Sequence, residues 1–177
     1  MRTLSLYLKW IIMVSIFGTL MVISKQILNL HLFKANVEKQ LFYDISLPND
    51  IGFYHYLLME IFVCFSLLYL IYHLNTFRKV TNDFSEDLIF SKKNSKELRS
   101  VGLGLLSFTA VAGIFKVVTS CYYFFKTSPA FLSSDNPDIS YNTGYAIGYS
   151  ISQIIYFMPI LIIAFLVLLI VELIKNG

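Results

Sequence analysis

The chain has 177 residues, the length of about one domain. Hydrophobic residues make up 56% of it and charged residues 14%, against roughly a quarter charged in soluble domains, and the mean hydropathy is +0.67. A soluble fold of this size leaves too much surface exposed to hide so much apolar material. The net charge of +3 gives no electrostatic footprint for nucleic acid, so a membrane protein that makes no direct nucleic-acid contact is expected.

Four stretches reach the roughly 20 residues that a helix needs to cross a bilayer. The first runs from about Leu4 to Ile23, with Lys9 and Trp10 placed as an interfacial anchor of a snorkelling cation beside an indole. Arg2, Lys9 and the apolar run from Trp10 to Ile23 also match a signal peptide in length. The exit Val22-Ile23-Ser24-Lys25-Gln26 lacks a small-x-small cleavage site, so an uncleaved span is expected. In the exterior loop, 26–52, alternation at Leu28, Leu30 and Leu32 and again around Leu41 to Leu47 allows short strands. The second span covers about Phe53 to Asn75, and a cytoplasmic loop follows over 76–100. The third span covers about Val101 to Phe125. A second exterior loop, 126–148, holds the turn cluster Ser133-Ser134-Asp135-Asn136-Pro137-Asp138, and the fourth span covers about Tyr149 to Ile174. Tyr54, Tyr56, Tyr72, Tyr122, Tyr123 and Tyr149 fall near span ends, where aromatic belts form.

Lysine and arginine in short loops set the orientation. With the N-terminus inside, Arg2, Lys9, Arg78, Lys79, Lys92, Lys93, Lys96, Arg99 and Lys175 lie in the cytoplasm, against Lys25, Lys34, Lys39 and Lys126 outside. The expected fold is thus an all-α membrane protein, one integral domain over 1–177, with four transmembrane helices and both ends in the cytoplasm. Cys64 and Cys121 fall inside spans, about 16 Å and 6 Å below the outer face at ~1.5 Å of rise per residue. That gap of about 10 Å exceeds the ~7 Å Cα limit for a disulfide, so both are expected as free thiols.

The cytoplasmic loop carries the most pattern. Phe77, Val80, Phe84 and Leu88 recur at helical spacing, with Arg78, Lys79, Asn82, Asp83, Glu86 and Asp87 on the other face. The second helix is therefore expected to extend into the cytoplasm. Its apolar face either packs under the bundle or against lipid, or serves as a docking face for a cytoplasmic regulator. A break is expected near Phe90, Ser91 or Asn94 can cap the next helix, and Asn94-Ser95-Lys96-Glu97 resembles a capping box.

Phe90, Asn94, Leu98 and Gly102 then follow at a strict four-residue spacing into the third span. In these residues, in length and in four-span layout the chain resembles the bacterial domain-of-unknown-function family 2975. The resemblance implies a multi-pass protein of the bacterial inner membrane, with no established activity and often encoded beside a small helix-turn-helix regulator. Two departures stand out. The Lys-Gly common before the Phe is Asp87-Leu88-Ile89 here, and in place of an acidic-polar tail the sequence reads Lys175-Asn176-Gly177.

Charges in lipid cost roughly 2.5–3.5 kcal/mol at a helix centre on insertion scales. Glu60 and Lys116 are two such charges, about 10 Å and 13 Å below the outer face. Spans two and three run antiparallel, so the two residues are expected at nearly one depth, either as an ion pair or as a protonated carboxyl beside a snorkelling lysine. Pro159 is expected to kink the fourth span beside Gln153 and Tyr156, and Gly144-x-x-x-Gly148 could admit a close helix neighbour. His31, His55 and His73 have no zinc-like spacing. No Gly-rich phosphate loop, nucleophile elbow or paired-histidine motif occurs.

The expected function is that of a non-enzymatic signalling or regulatory membrane partner, without cofactor or metal. Its expected contacts are the lipid bilayer, a cytoplasmic regulator or a second copy. The alternative is a small transporter or channel subunit. Intact-mass measurement of the protein purified from membranes should return a chain that retains residues 1–24. A mature chain starting near Lys25 would remove the first span.

Overall fold

The computed structural model of the chain describes residues 2–33, 40–41, 45–47, 50–83, 92–127 and 139–176. Five helices make up almost all of it: α1 (Arg2–His31), α2 (Phe53–Asp83), α3 (Lys92–Thr127), α4 (Ile139–Ile155) and α5 (Met158–Asn176). A two-residue antiparallel ladder joins β1 (Gln40–Leu41) to β2 (Ile45–Ser46), with Leu41 opposite Ile45. Three helices are long and apolar enough to span a membrane, and α4 with α5 forms a fourth candidate broken by a 55° bend.

The helices run up, down, up and down, and side-chain contacts fix the sense of each pair. Ser5 donates to the Thr81 carbonyl at 2.7 Å, and Phe33 meets Tyr56 at 5.0 Å between ring centroids. These contacts set α1 antiparallel to α2. Phe62 of α2 meets Phe115 of α3 at 4.4 Å, and the His73 ring lies against Gly104. On both helices these anchors are eleven residues apart, so the antiparallel register between them has no slip. Gly102 faces Leu168 and the Ala164 carbonyl, while Gly113 faces Phe157, which turns α5 antiparallel to α3.

Helix α3 is the hub, packing against α2, α4 and α5, whereas α1 packs chiefly against α2. The main core joins Leu70 and Val80 of α2 to Leu98, Val101, Leu105 and Phe108 of α3, and to Ala164, Val167 and Val171 of α5. A second core at the opposite end gathers Leu41, Ile45 and Leu47 under Tyr56, Val63 and Leu67. Apolar side chains on the outer surface, such as Val14, Phe65 and Leu169, are exposed as lipid-facing residues would be.

Several expectations change. α1 continues through Leu28 and Leu30 to His31, so the first alternating stretch is helical. Only the second stretch contains strand, two residues per side. α3 begins at Lys92, so Asn94 lies inside the helix and does not cap it, while α2 continues to Asp83 as expected. Residues 139–148, expected as loop, are also helical. The bend near Pro159 is a full break: α4 stops at Ile155, and Pro159 is the second residue of α5, in the first turn where a missing N–H costs nothing. Phe157 bridges the break, donating to the Ile154 carbonyl and accepting from Leu161.

Close approach between helices depends on Gly102 and Gly104, not on Gly144 and Gly148, around which no described atom lies within 4 Å. A Cβ at Gly104 would fall on the His73 imidazole, which is buried between the Tyr69 and Tyr72 rings at 4.6 and 5.1 Å. Gly104→Ala should therefore destabilise the protein by about 1–3 kcal/mol through overpacking. Gly18→Ala, which meets nothing within 4 Å, should be neutral or mildly stabilising. Thermal unfolding in detergent checks this, and a Gly104→Ala variant as stable as Gly18→Ala would contradict the packing.

Candidate functional site

Outside the basic end, the concentration of polar side chains in the described residues is a centre buried among α1, α2, α3 and the α4–α5 break. Glu60 is 3% exposed and Lys116 is 2% exposed. Their placement follows from the α2–α3 register. Glu60 lies two residues outward of Phe62 and Lys116 one residue outward of Phe115, so at ~1.5 Å per residue their levels differ by about 1.5 Å. The two formal charges enclosed by the bundle thus occupy one layer of an otherwise apolar helix pair.

Each has a distinct set of neighbours. Glu60 hydrogen-bonds the Tyr56 hydroxyl one helical turn away. On its other side it lines a cavity of about 180 Å³ with Gln26, itself buried, and with Ile27, Leu30 and Leu57. The Lys116 Nζ stands 3.5 Å from the centroid of the Tyr156 ring. A desolvated cation over an aromatic face gains roughly 2 kcal/mol, which offsets part of its removal from water. Tyr156 is held there because α4 ends at Ile155 and the chain turns before Met158. The helix break therefore supplies an aromatic face to the buried lysine.

A polar layer continues outward along α3. Thr119 and Ser120 are buried, and the Cys121 Sγ lies 3.2 Å from the Ser150 Oγ of α4. Phe124 stacks on Tyr149 with centroids 4.2 Å apart. Cys64 and Cys121 are both free thiols. Gln153 is half-buried, and its amide reaches the neighbouring Ser152 hydroxyl at 3.2 Å. Among the described residues, no group of His, Cys, Asp and Glu could hold a metal ion.

The other residues singled out from the sequence fall elsewhere. Val80 is fully buried and Phe77 packs against the same core, facing Leu98 and Val101 of α3. These two members of the candidate docking face are covered by the chain itself, and Phe84 and Leu88 lie outside the described residues. Asn94, Leu98 and Gly102 form one buried stripe along α3, with Phe90 outside the described residues. Gln26, Tyr56 and Tyr156 were not picked out as partners of the two charges. Gln26 reads as a loop residue beyond the first span, and only the continuation of α1 to His31 brings it into the bundle.

Comparison with known proteins finds no matching family model, no matching curated protein and no matching solved structure.

Shared depth and mutual burial make charge complementarity between Glu60 and Lys116 directly testable. Glu60→Lys and Lys116→Glu should each destabilise by roughly 3–5 kcal/mol, as expected for a lone buried charge. The double swap should recover a large part of that loss. Stability in detergent and expression in membranes read the effect, and a double variant no better than either single one would show that the two groups do not pair.

Proposed function

We propose that the chain is a non-enzymatic multi-pass protein of a bacterial cytoplasmic membrane, with both termini inside, that acts as a signalling or regulatory partner. In this reading it works through a cytoplasmic stalk formed by the ends of α2 and α3. The observation that supports it is surplus helix. With 31 and 36 residues, α2 and α3 measure about 46 Å and 54 Å at ~1.5 Å per residue, against ~30 Å of hydrocarbon. If the outer boundary lies near Phe53 and Tyr123, about ten residues of each helix, or about 15 Å, project beyond the hydrocarbon core.

The projection has a core of its own. Phe77, Val80, Leu98 and Val101 pack between the two helices, while Lys79, Asn82, Lys93, Lys96 and Arg99 face outward. A partner would therefore meet the polar outer faces of the stalk, since its apolar stripe is occupied. The basic bias of this end supports an interior location. The resemblance to family 2975 supports the same reading. Its Asn94, Leu98 and Gly102 also have a packing reason for their spacing, because a four-residue repeat keeps one helix face against a neighbour.

A second reading, a small transporter or channel subunit, is favoured by the buried Lys116 beside a broken helix, an arrangement transporters use at their binding sites. Against it, the cavity touching Glu60 is otherwise lined largely by Ile, Leu and Phe side chains, which do not favour a wetted path.

Photo-crosslinking in intact cells tests the leading reading. A crosslinker in place of Arg99 on the stalk should give one discrete adduct, identifiable by mass spectrometry. The same group in place of Tyr54, exposed at the opposite end, should not give that adduct. No discrete adduct at Arg99, or the same adduct at Tyr54, would contradict a stalk partner.

A further inference from the structure

At the basic end, α2 and α3 flank an open cavity of about 520 Å³ with a polar lining. Tyr72, Thr76 and Lys79 contribute from α2, and Lys93, Lys96 and Ser100 from α3. Four other cavities among the described residues are lined mainly by aliphatic and aromatic side chains. Glu97 also lines the basic cavity, so its three lysines leave an excess of two positive charges. The Thr76 hydroxyl turns back onto the Tyr72 carbonyl at 3.1 Å, which leaves the ammonium groups as the strong donors.

Two of these lysines stand where their own helix opposes them. α3 begins at Lys92 and carries no acid in its first turn. The helix macrodipole makes that end positive, and Lys93 and Lys96 add like charge. An anion in the cavity would be attracted by the lysines and the helix end together.

Depth indicates what carries the anion. Ser5 contacts Thr81, and Arg78 reaches the Met13 sulfur at 3.1 Å, so Trp10 stands level with Lys79 to within about one helical turn. Trp10 and Tyr72 are both largely exposed, and indole and phenol side chains concentrate at membrane–water interfaces. The cavity therefore opens where lipid phosphates lie. We propose that it is a binding site for a phosphate group carried on the headgroup of an anionic phospholipid. The proposal depends on the chain spanning a membrane and not on any protein partner of the stalk.

The full chain in mild detergent, examined by native mass spectrometry, provides the test. Phosphatidylglycerol should be retained at least tenfold more tightly than phosphatidylcholine. Lys93→Gln should weaken that retention roughly fivefold, following the usual contribution of one basic residue near an anionic surface. Lys93→Arg should preserve it, and Arg99→Gln, at the same end but outside the lining, should leave it within twofold. The Lys79→Gln/Lys93→Gln/Lys96→Gln variant should lose the preference, and since all three lysines are exposed, circular dichroism should report an intact helical fold. Equal retention of the two lipids would overturn the proposal. So would equal losses for Lys93→Gln and Arg99→Gln, which indicate a diffuse basic surface. Displacement of phosphatidylglycerol by millimolar inorganic phosphate would assign the cavity to free phosphate and overturn the lipid source.

Discussion

The register between α2 and α3 is the constraint on which the rest of the structure depends. It is fixed at two levels, by the His73 ring against Gly104 and by Phe62 against Phe115. A slip of one residue would drive a Cβ into the imidazole at the first level and part the rings at the second. With the register set, Glu60 and Lys116 share a layer, the Val80–Leu98–Val101 core closes between the helix ends, and the basic cavity forms beside it. One helix pair thus determines the buried centre, the proposed stalk and the proposed lipid site together.

Lipid supplies no driving force for apolar helices to associate, so close packing and polar contacts must hold such a bundle. Both are concentrated on α3, where Gly102 and Gly104 open opposite sides to α5 and α2 and Lys116 reaches the α4–α5 break. Helix α1 packs chiefly against α2. Its Ser15 and Thr19 hydroxyls bond the carbonyls of their own helix, at 2.9 and 2.7 Å. They border a cavity of about 360 Å³ where α1, α2, α3 and α5 meet. A helix that packs chiefly against one neighbour therefore borders this cavity.

Features governed by local chemistry were legible in the sequence. Apolar run length located the four candidate spans, the spacing of Phe77 and Val80 indicated that the second helix continues, and Pro159 marked the break in the fourth. The near-equal depth of Glu60 and Lys116 also followed from counting residues. Features that depend on which faces meet were not legible. Gly144 and Gly148 matched a packing motif yet meet no described neighbour, while Gly102-Leu103-Gly104 makes the close contacts because its glycines face two different helices. Gln26 and Tyr156 became neighbours of the buried charges only through the continuation of α1 and the position of the helix break. Periodicity places residues on a face, but only tertiary packing decides what covers that face.

Cysteine pairing across α2 and α3 tests the shared register most directly. In a background lacking Cys64 and Cys121, Phe62→Cys with Phe115→Cys should bridge readily under mild oxidation in membranes, because those side chains touch. Phe62→Cys with Phe108→Cys, displaced by about 10 Å along α3, should not. Comparable bridging of the displaced pair, or none for the matched pair, would contradict the register and with it the common layer of Glu60 and Lys116.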